Sequence, residues 1–276
     1  MKSLFNPIFL FQKRKSIFNR IKEIPMNFIW KIIYSLIDKG YLYHPDYEKL
    51  QKIHNKHKGK TGILIGNGPS VKIKDLEEIA NNKEIITFAV NRFYLCYEQT
   101  TFRPHYILSS DQQIINDFGN EIVHNNVNTP IFLASLFKPQ HIRDDFVWIK
   151  LIHGRPFRFS KDIKRSLMSG GGTLIAAIQL GYHMGIREFY LYGVDHNFDY
   201  KKDEDQIDTV KGDNNHFIDN YRSGKSWQEP RIDLVEYSFK ECDKVLRLEN
   251  GFLKNATHGG KLQVLERIAF NELING

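Results

Sequence analysis

Five short polar clusters carry the chemistry open to this sequence. They are Gly66-Asn67-Gly68-Pro69-Ser70, Asn91, Ser109-Ser110-Asp111, Ser169-Gly170-Gly171-Gly172-Thr173 and Asp195-His196-Asn197. Glycines let a backbone come close to a ligand. Amides at a helix start point at an anion with the helix dipole behind them. Together these are the ingredients of a phosphate site. Each cluster also has a plain structural explanation: a tight turn, a helix cap at Ser169, or the turn preference of Asp and Asn. Their recurrence at strand ends and at one helix start favours a ligand. The first cluster is not a dinucleotide fingerprint, because no third glycine falls in place after G-x-G. Nor is it a P-loop, because no Gly-Lys-Ser/Thr follows. A single nucleotide is therefore expected. Two histidines could take a proton beside these clusters, His216 first and His196 second, since an imidazole titrates near neutral pH. Tyr221, Arg222 or Lys225 could steady a departing phosphate.

The elements that would position these groups alternate. "TGILIG", "EIITFAVN", "HYILSSD", "TPIFLAS", "FVWIKLI" and "REFYLYGVD" read as strands. "VKIKDLEEIANN" reads as a helix or turn region. "GGTLIAAIQLGYHMG" reads as an amphipathic helix and "RIDLVEYSFKECDKVLRLE" as another. Such alternation predicts an α/β fold with a mostly parallel, Rossmann-like sheet and helices on both faces. Ligands of such sheets bind beyond the carboxyl ends of the strands, where four of the five clusters fall. Residues 199–230 show no period and read as a lid over the site. In it Trp227 is expected to anchor the loop, with stacking on an acceptor sugar as the alternative.

At 276 residues with 41% hydrophobic content, the chain can build a real core. Its net charge of +7 is concentrated in the first 60 residues, which hold 13 Lys and Arg against 4 acids. The rest is near neutral, and no nucleic-acid motif is present, so no nucleic-acid partner is expected. The chain divides into a basic, amphipathic N-terminal segment, 1–60, and an α/β catalytic domain, 61–276. No apolar run reaches the length of a bilayer span. Residues 1–40 suit peripheral contact with the inner membrane face, or packing on the domain or a second subunit as a homo-oligomer. Two cysteines without metal-ligand spacing, Cys96 and Cys242, fit a reduced, cytoplasmic setting.

The stretches "LIGNGPS", "VNRFY", "SGGGTLIAAIQLGYHMGIREFYLYGVD" and "DNNHF" resemble the bacterial sialyltransferases of glycosyltransferase family 42, in matching order from about Thr61 to Asn220. The wider pattern "GVDHNF … NHF … W-x-x-P … NAT-x-GGKL" resembles a group that includes flagellin-modifying transferases and archaeal 6-hydroxymethylpterin diphosphokinases. The resemblance implies a variant of the GT-A fold and transfer of an acidic sugar (sialic acid, Kdo or a relative) from a CMP-activated donor to a surface glycan or glycolipid, without a cofactor or metal. It implies that Asn67 and Ser70 meet the phosphate and ribose. Asn91 would touch the cytidine or the donor sugar, Ser169 and Gly170 the donor near its carboxylate or ribose, and Asp195 would anchor the nucleotide. Asp111 falls near a family asparagine. The chain departs downstream: the family's base position falls on Asn220 and its first tyrosine at about Asn197, for which Tyr200 or Tyr221 would stand in. Two alternatives stay open. One is an ATP-dependent pterin diphosphokinase with Mg²⁺ on Asp111 and Asp195; the other is a non-catalytic nucleotide-binding protein.

Overall fold

Strand β2 (Ile85–Val90) is buried at all six positions. An unbroken apolar strand of this kind belongs in a sheet covered on both faces. It lies inside an eight-stranded sheet with β1 (Thr61–Ile65), β3 (Tyr106–Ser109), β4 (Ile131–Ser135), β5 (Val147–His153), β6 (Leu167–Ser169), β7 (Glu188–Tyr192) and β11 (Phe252–Asn255), in the spatial order β11-β7-β1-β2-β3-β4-β5-β6. Every neighbouring pair runs parallel. The computed structural model describes residues 46–154, 156–197, 201–202, 209–211, 215–225 and 227–275. Residues 1–45, which include the expected membrane-contact segment, lie outside the described residues, as do Tyr200 and part of the expected lid.

Helices cover both faces, as the alternation predicts. On one face, the Tyr192 hydroxyl donates to Asp75 of α2 (Ile73–Asn81) at 2.6 Å. On the other, Phe189 packs so tightly on α4 (Thr173–His183) that a Cβ at Gly181 would lie 2.7 Å from its ring; a Cβ at Gly62 of β1 would meet the same ring at 2.7 Å. Positions 189 and 192 of a strand point to opposite sides, so α2 and α4 sandwich β7. The sequence reads α4 as amphipathic. Instead it is buried on all sides except at Leu174, because α5 (Ile232–Arg247) packs on it from outside the sheet. Its one amide, Gln179, is fully paired: it accepts from Ser160 N and Met168 N and donates to the carbonyls of Met168 and Ile175. Two elements are absent from the sequence reading. Helix α3 (Gln112–Asn125) is rich in amides and acids, and β6 is only three residues long. The stretch read as an aperiodic lid contributes a small antiparallel sheet of β8 (Lys201–Lys202), β9 (Thr209–Lys211) and β10 (Trp227–Gln228).

The end of the basic N-terminal segment is fastened to this body. In α1 (Tyr47–Ile53), Leu50 is fully buried and its carbonyl lies 3.0 Å from His183 Nε2. Asp46 accepts from Trp148 N, and Asn55 N and His57 N donate to the carbonyls of His183 and Met184. The other edge is held by Glu249. Its carboxylate takes Lys161 Nζ at 2.6 Å, the Tyr182 hydroxyl at 2.5 Å and Arg187 Nε at 2.8 Å. Lys161 first, then Tyr182 and Arg187, hold its pKa down from 4.5 to about 2. A carboxyl with a depressed folded-state pKa stabilises above its unfolded value and loses that contribution as pH falls through the folded one. Glu249→Gln is therefore expected to lower the thermal midpoint at pH 7, with the gap to the native chain closing between about pH 4.5 and 2. Melts across that window check this, and a constant gap would refute it.

Candidate functional site

Beside β1 the sheet changes direction. The chain steps outward from β1 to β6, crosses back through α4, and adds β7 on the other flank of β1. Such a switch point leaves a crevice at the carboxyl ends of the strands, here between the loops that follow β1 and β7. These loops meet backbone to backbone. Gly66 N donates to Tyr192 O at 2.8 Å and Gly68 N to Gly193 O at 2.9 Å. A Cβ at Gly66 would sit 2.4 Å from Gly193 O, and one at Gly68 only 1.9 Å from Asp195 Oδ2. The glycines are thus demanded by the opposing loop. Ser70 completes the seam, its hydroxyl donating to Asp195 Oδ2 at 2.7 Å and its N–H at 3.3 Å.

Asn67 reaches the other way. Its Nδ2 donates to Val90 O at 2.9 Å and to the Tyr221 hydroxyl at 3.1 Å, and its backbone carbonyl accepts from Phe217 N at 3.0 Å. Its Oδ1 is buried without a hydrogen-bond partner, an acceptor that a ligand's N–H or O–H could meet. Tyr221 is only 3% exposed, and burial drives its hydroxyl well above the ordinary phenol value, so it stays protonated. Arg92 donates to Tyr221 O and to Ser223 Oγ, pairs with Glu121 at 3.1 Å, and stacks on the Phe118 ring. Residues 215–225 are thereby clasped onto the body. His216 stacks on Tyr221 with ring centroids 3.7 Å apart and planes 10° from parallel.

A second group adjoins this one. Asn91, in the left-handed region at φ 56°, accepts from Ser109 Oγ at 2.8 Å and from Thr173 Oγ1 at 3.4 Å, and the Ser110 hydroxyl lies 3.2 Å from that of Thr173. The N-terminus of α4, with Gly172 as its N-cap, therefore opens at the ends of β2 and β3. Asn67, Ser70, Asn91, Ser110, Thr173 and Asp195 are brought together along one edge of the sheet.

Other expected residues stand apart from that edge or do structural work. Asp111 caps α3, its Oδ1 accepting from Gln113 N and Ile114 N. Ser169 closes β6 in register with His153. Gly170 and Gly171 are covered by α5: a Cβ at Gly170 would lie 2.7 Å from Ser238 Oγ, and one at Gly171 3.2 Å from Leu234 and Val235. His196 turns to Glu236 of α5, 3.3 Å away, and burial lowers its pKa against that carboxylate's pull. Asn197 is exposed. Lys225 pairs with Asp117 at 3.1 Å.

Asp111 is thus bound to the start of α3 and Asp195 to Ser70. No group of three His, Cys, Asp or Glu side chains suited to a metal occurs among the described residues.

Sequence reading missed two contributors. Arg92 follows directly on Asn91, but its partners are about 30 and 130 positions away. The loop after β11 also belongs to the site's wall: Thr257 Oγ1 accepts from Val194 N at 3.0 Å, and Lys261 N donates to Asp195 O at 2.7 Å. The pattern "NAT-x-GGKL" is its sequence signal.

Fold and crevice together define a doubly wound α/β domain, its main sheet all parallel, with a switch-point site. A family model described as 6-hydroxymethylpterin diphosphokinase MptE-like matches residues 40–201, more than half of the sequence, and the chain belongs to this MptE-like family. Among solved structures it is similar to the Maf glycosyltransferase of Magnetospirillum magneticum AMB-1, at 16% identity and a TM-score of 0.48 over 82% of this chain. The match spans only 38% of that protein's length. It is also similar to the Campylobacter jejuni sialyltransferase CstII, solved with cytidine-5'-monophosphate, at 13% identity and a TM-score of 0.42, over 77% of this chain and 86% of that one. No curated protein matches the sequence. Among the described residues, no helix is long and apolar enough to cross a membrane.

Proposed function

We propose that the chain is a glycosyltransferase that moves an acidic sugar from a CMP-activated donor to a glycan or glycolipid acceptor. The observation that carries this reading is the polar edge itself. It offers the N-terminus of α4 and a row of neutral hydroxyls and amides, and Arg92, the cation next to Asn91, is occupied by Glu121 and the 215–225 clasp. One phosphate suits such a site, through helix amides and dipole. A triphosphate would ordinarily call for a cationic clamp. In this reading the phosphate of CMP rests at Thr173 and Asn91, Asn67 Oδ1 accepts from the ribose or the base, and Asp195, fixed by Ser70, anchors the nucleotide. His216 takes the proton of the acceptor hydroxyl as its oxygen attacks the anomeric carbon. The sugar–phosphate bond breaks and its electron pair leaves on CMP.

A second reading, an ATP-dependent diphosphokinase, is favoured by the family's description. Thermal shifts with CMP, CDP, ATP and GTP, each with and without Mg²⁺, separate the two. A CMP shift independent of Mg²⁺, weakened about tenfold in affinity by Asn67→Ala, supports the transferase. A shift only with ATP and Mg²⁺ supports the kinase and overturns the transferase.

A further inference from the structure

Behind the crevice wall, on the α2 face of the sheet, lies a cavity of about 350 Å³, lined by Ala256–Gly259 and by residues 267–271 before and within α6 (Phe270–Asn275). Its volume is in the range of small-molecule sites. Two of its walls are cationic or basic. Arg267 donates only to backbone carbonyls, those of Thr257, Gly259 and Leu262, and has no carboxylate partner among the described residues. His258 is held from behind: its Nε2 lies 2.6 Å from Asp75 Oδ2, a buried carboxylate that also accepts from the Tyr192 hydroxyl at 2.6 Å. Nε2 is thereby engaged by Asp75, and the ring forms part of the cavity wall. The nearest acid is thereby already engaged. The loop turns there through Gly259 and Gly260, both in the left-handed region at φ 62° and 79°. A guanidinium with no carboxylate partner among the described residues, lining a cavity whose other basic side chain is held in place, makes an electropositive, donor-bearing site.

We infer that this cavity is a second ligand site, distinct from the nucleotide crevice, that takes the anionic group of a small molecule. Phosphate and carboxylate share the required chemistry. The site does not depend on the transferase reading. The loop that forms it also backs onto the crevice, since a Cβ at Gly260 would lie 2.8 Å from Asp195 O. Occupancy on one side is therefore positioned to be felt on the other.

The test is a titration of the full chain with inorganic phosphate, pyrophosphate and glucuronate at constant ionic strength, with chloride as the screening control. Binding is read by thermal shift and by the ring signals of ¹⁵N-labelled histidine. A saturable response of His258 to phosphate or pyrophosphate assigns a phosphate-bearing ligand; a response to glucuronate alone assigns a carboxylate. Arg267→Met should weaken it about tenfold or more, one charge-assisted contact being worth that much, and His258→Ala, which takes away part of the cavity wall, should weaken it as well, while Asn67→Ala leaves it intact. Arg267→Lys, which keeps the charge if Arg267→Met fails to fold, should retain part of it. No saturable response to any of the three anions, or one that survives both Arg267→Met and His258→Ala, overturns the site. A response lost in Asn67→Ala moves the ligand to the crevice and overturns it equally.

Discussion

His216→Ala should lower turnover of a CMP-activated acidic sugar by roughly 10²–10⁴-fold, the usual contribution of a general base, while CMP still binds. The geometry separates those two effects. The imidazole lies flat on Tyr221, and Tyr221 is held by Asn67 and Arg92. The next residue is tied independently, through Phe217 N to Asn67 O. Removing the ring takes away the proposed proton acceptor and its stacking on Tyr221, while the bonds from Asn67 and Arg92 still hold the clasp. His196→Ala is the matched control, because that ring faces Glu236 on α5; its effect should be far smaller. Initial rates against donor concentration, with CMP affinity measured in parallel, decide the matter. Near-native turnover in His216→Ala would remove that residue from the reaction.

Gly68→Ala is expected to be the most damaging single-methyl change at the crevice. The new carbon would fall 1.9 Å from Asp195 Oδ2 and 2.8 Å from Gly193 O. Relief requires Asp195 to leave Ser70 or the β1 and β7 loops to part. Overpacking of this kind costs about 1–3 kcal/mol, which in a chain of this size lowers the midpoint by roughly 2–4 °C per kcal/mol. The CMP response should be lost as well. Gly59→Ala is the internal comparison. Unlike Gly68 it has positive φ, at 81°, but no atom lies within 4 Å of its Cβ, so its only cost is backbone strain. A Gly68→Ala protein that melts and binds CMP like the native chain would refute the seam.

The parallel sheet was legible because its strands are short apolar runs between helical stretches, and such runs survive reading one window at a time. The polar clusters were legible for the same reason, each being local. What the clusters touch was not. Gly170 and Gly171 read as ligand-facing glycines, yet α5, more than 60 positions on, lies against them. Asp111 reads as a site carboxylate, yet it caps a helix left unplaced by the sequence reading, although Ile114, Ile115, Phe118 and Ile122 recur at helical spacing. Arg92 went unread because a buried cation is recognised by its partners, and those come from Glu121 and the 215–225 segment. The pairing of Asp75 with His258 spans 183 positions, beyond the reach of any motif.

The keying of α4 into the sheet through Gly181 and Phe189 has a consequence for selectivity. A helix locked along its far end presents its first amides already aimed, so under the proposed function the donor's phosphate meets a rigid receptor and little disorder has to be quenched. Discrimination among ligands then falls to whatever extends past that charge, toward the strip held by Arg92. Diversity of substrate within such a fold could arise by rewriting that strip while the anion's berth stays unchanged.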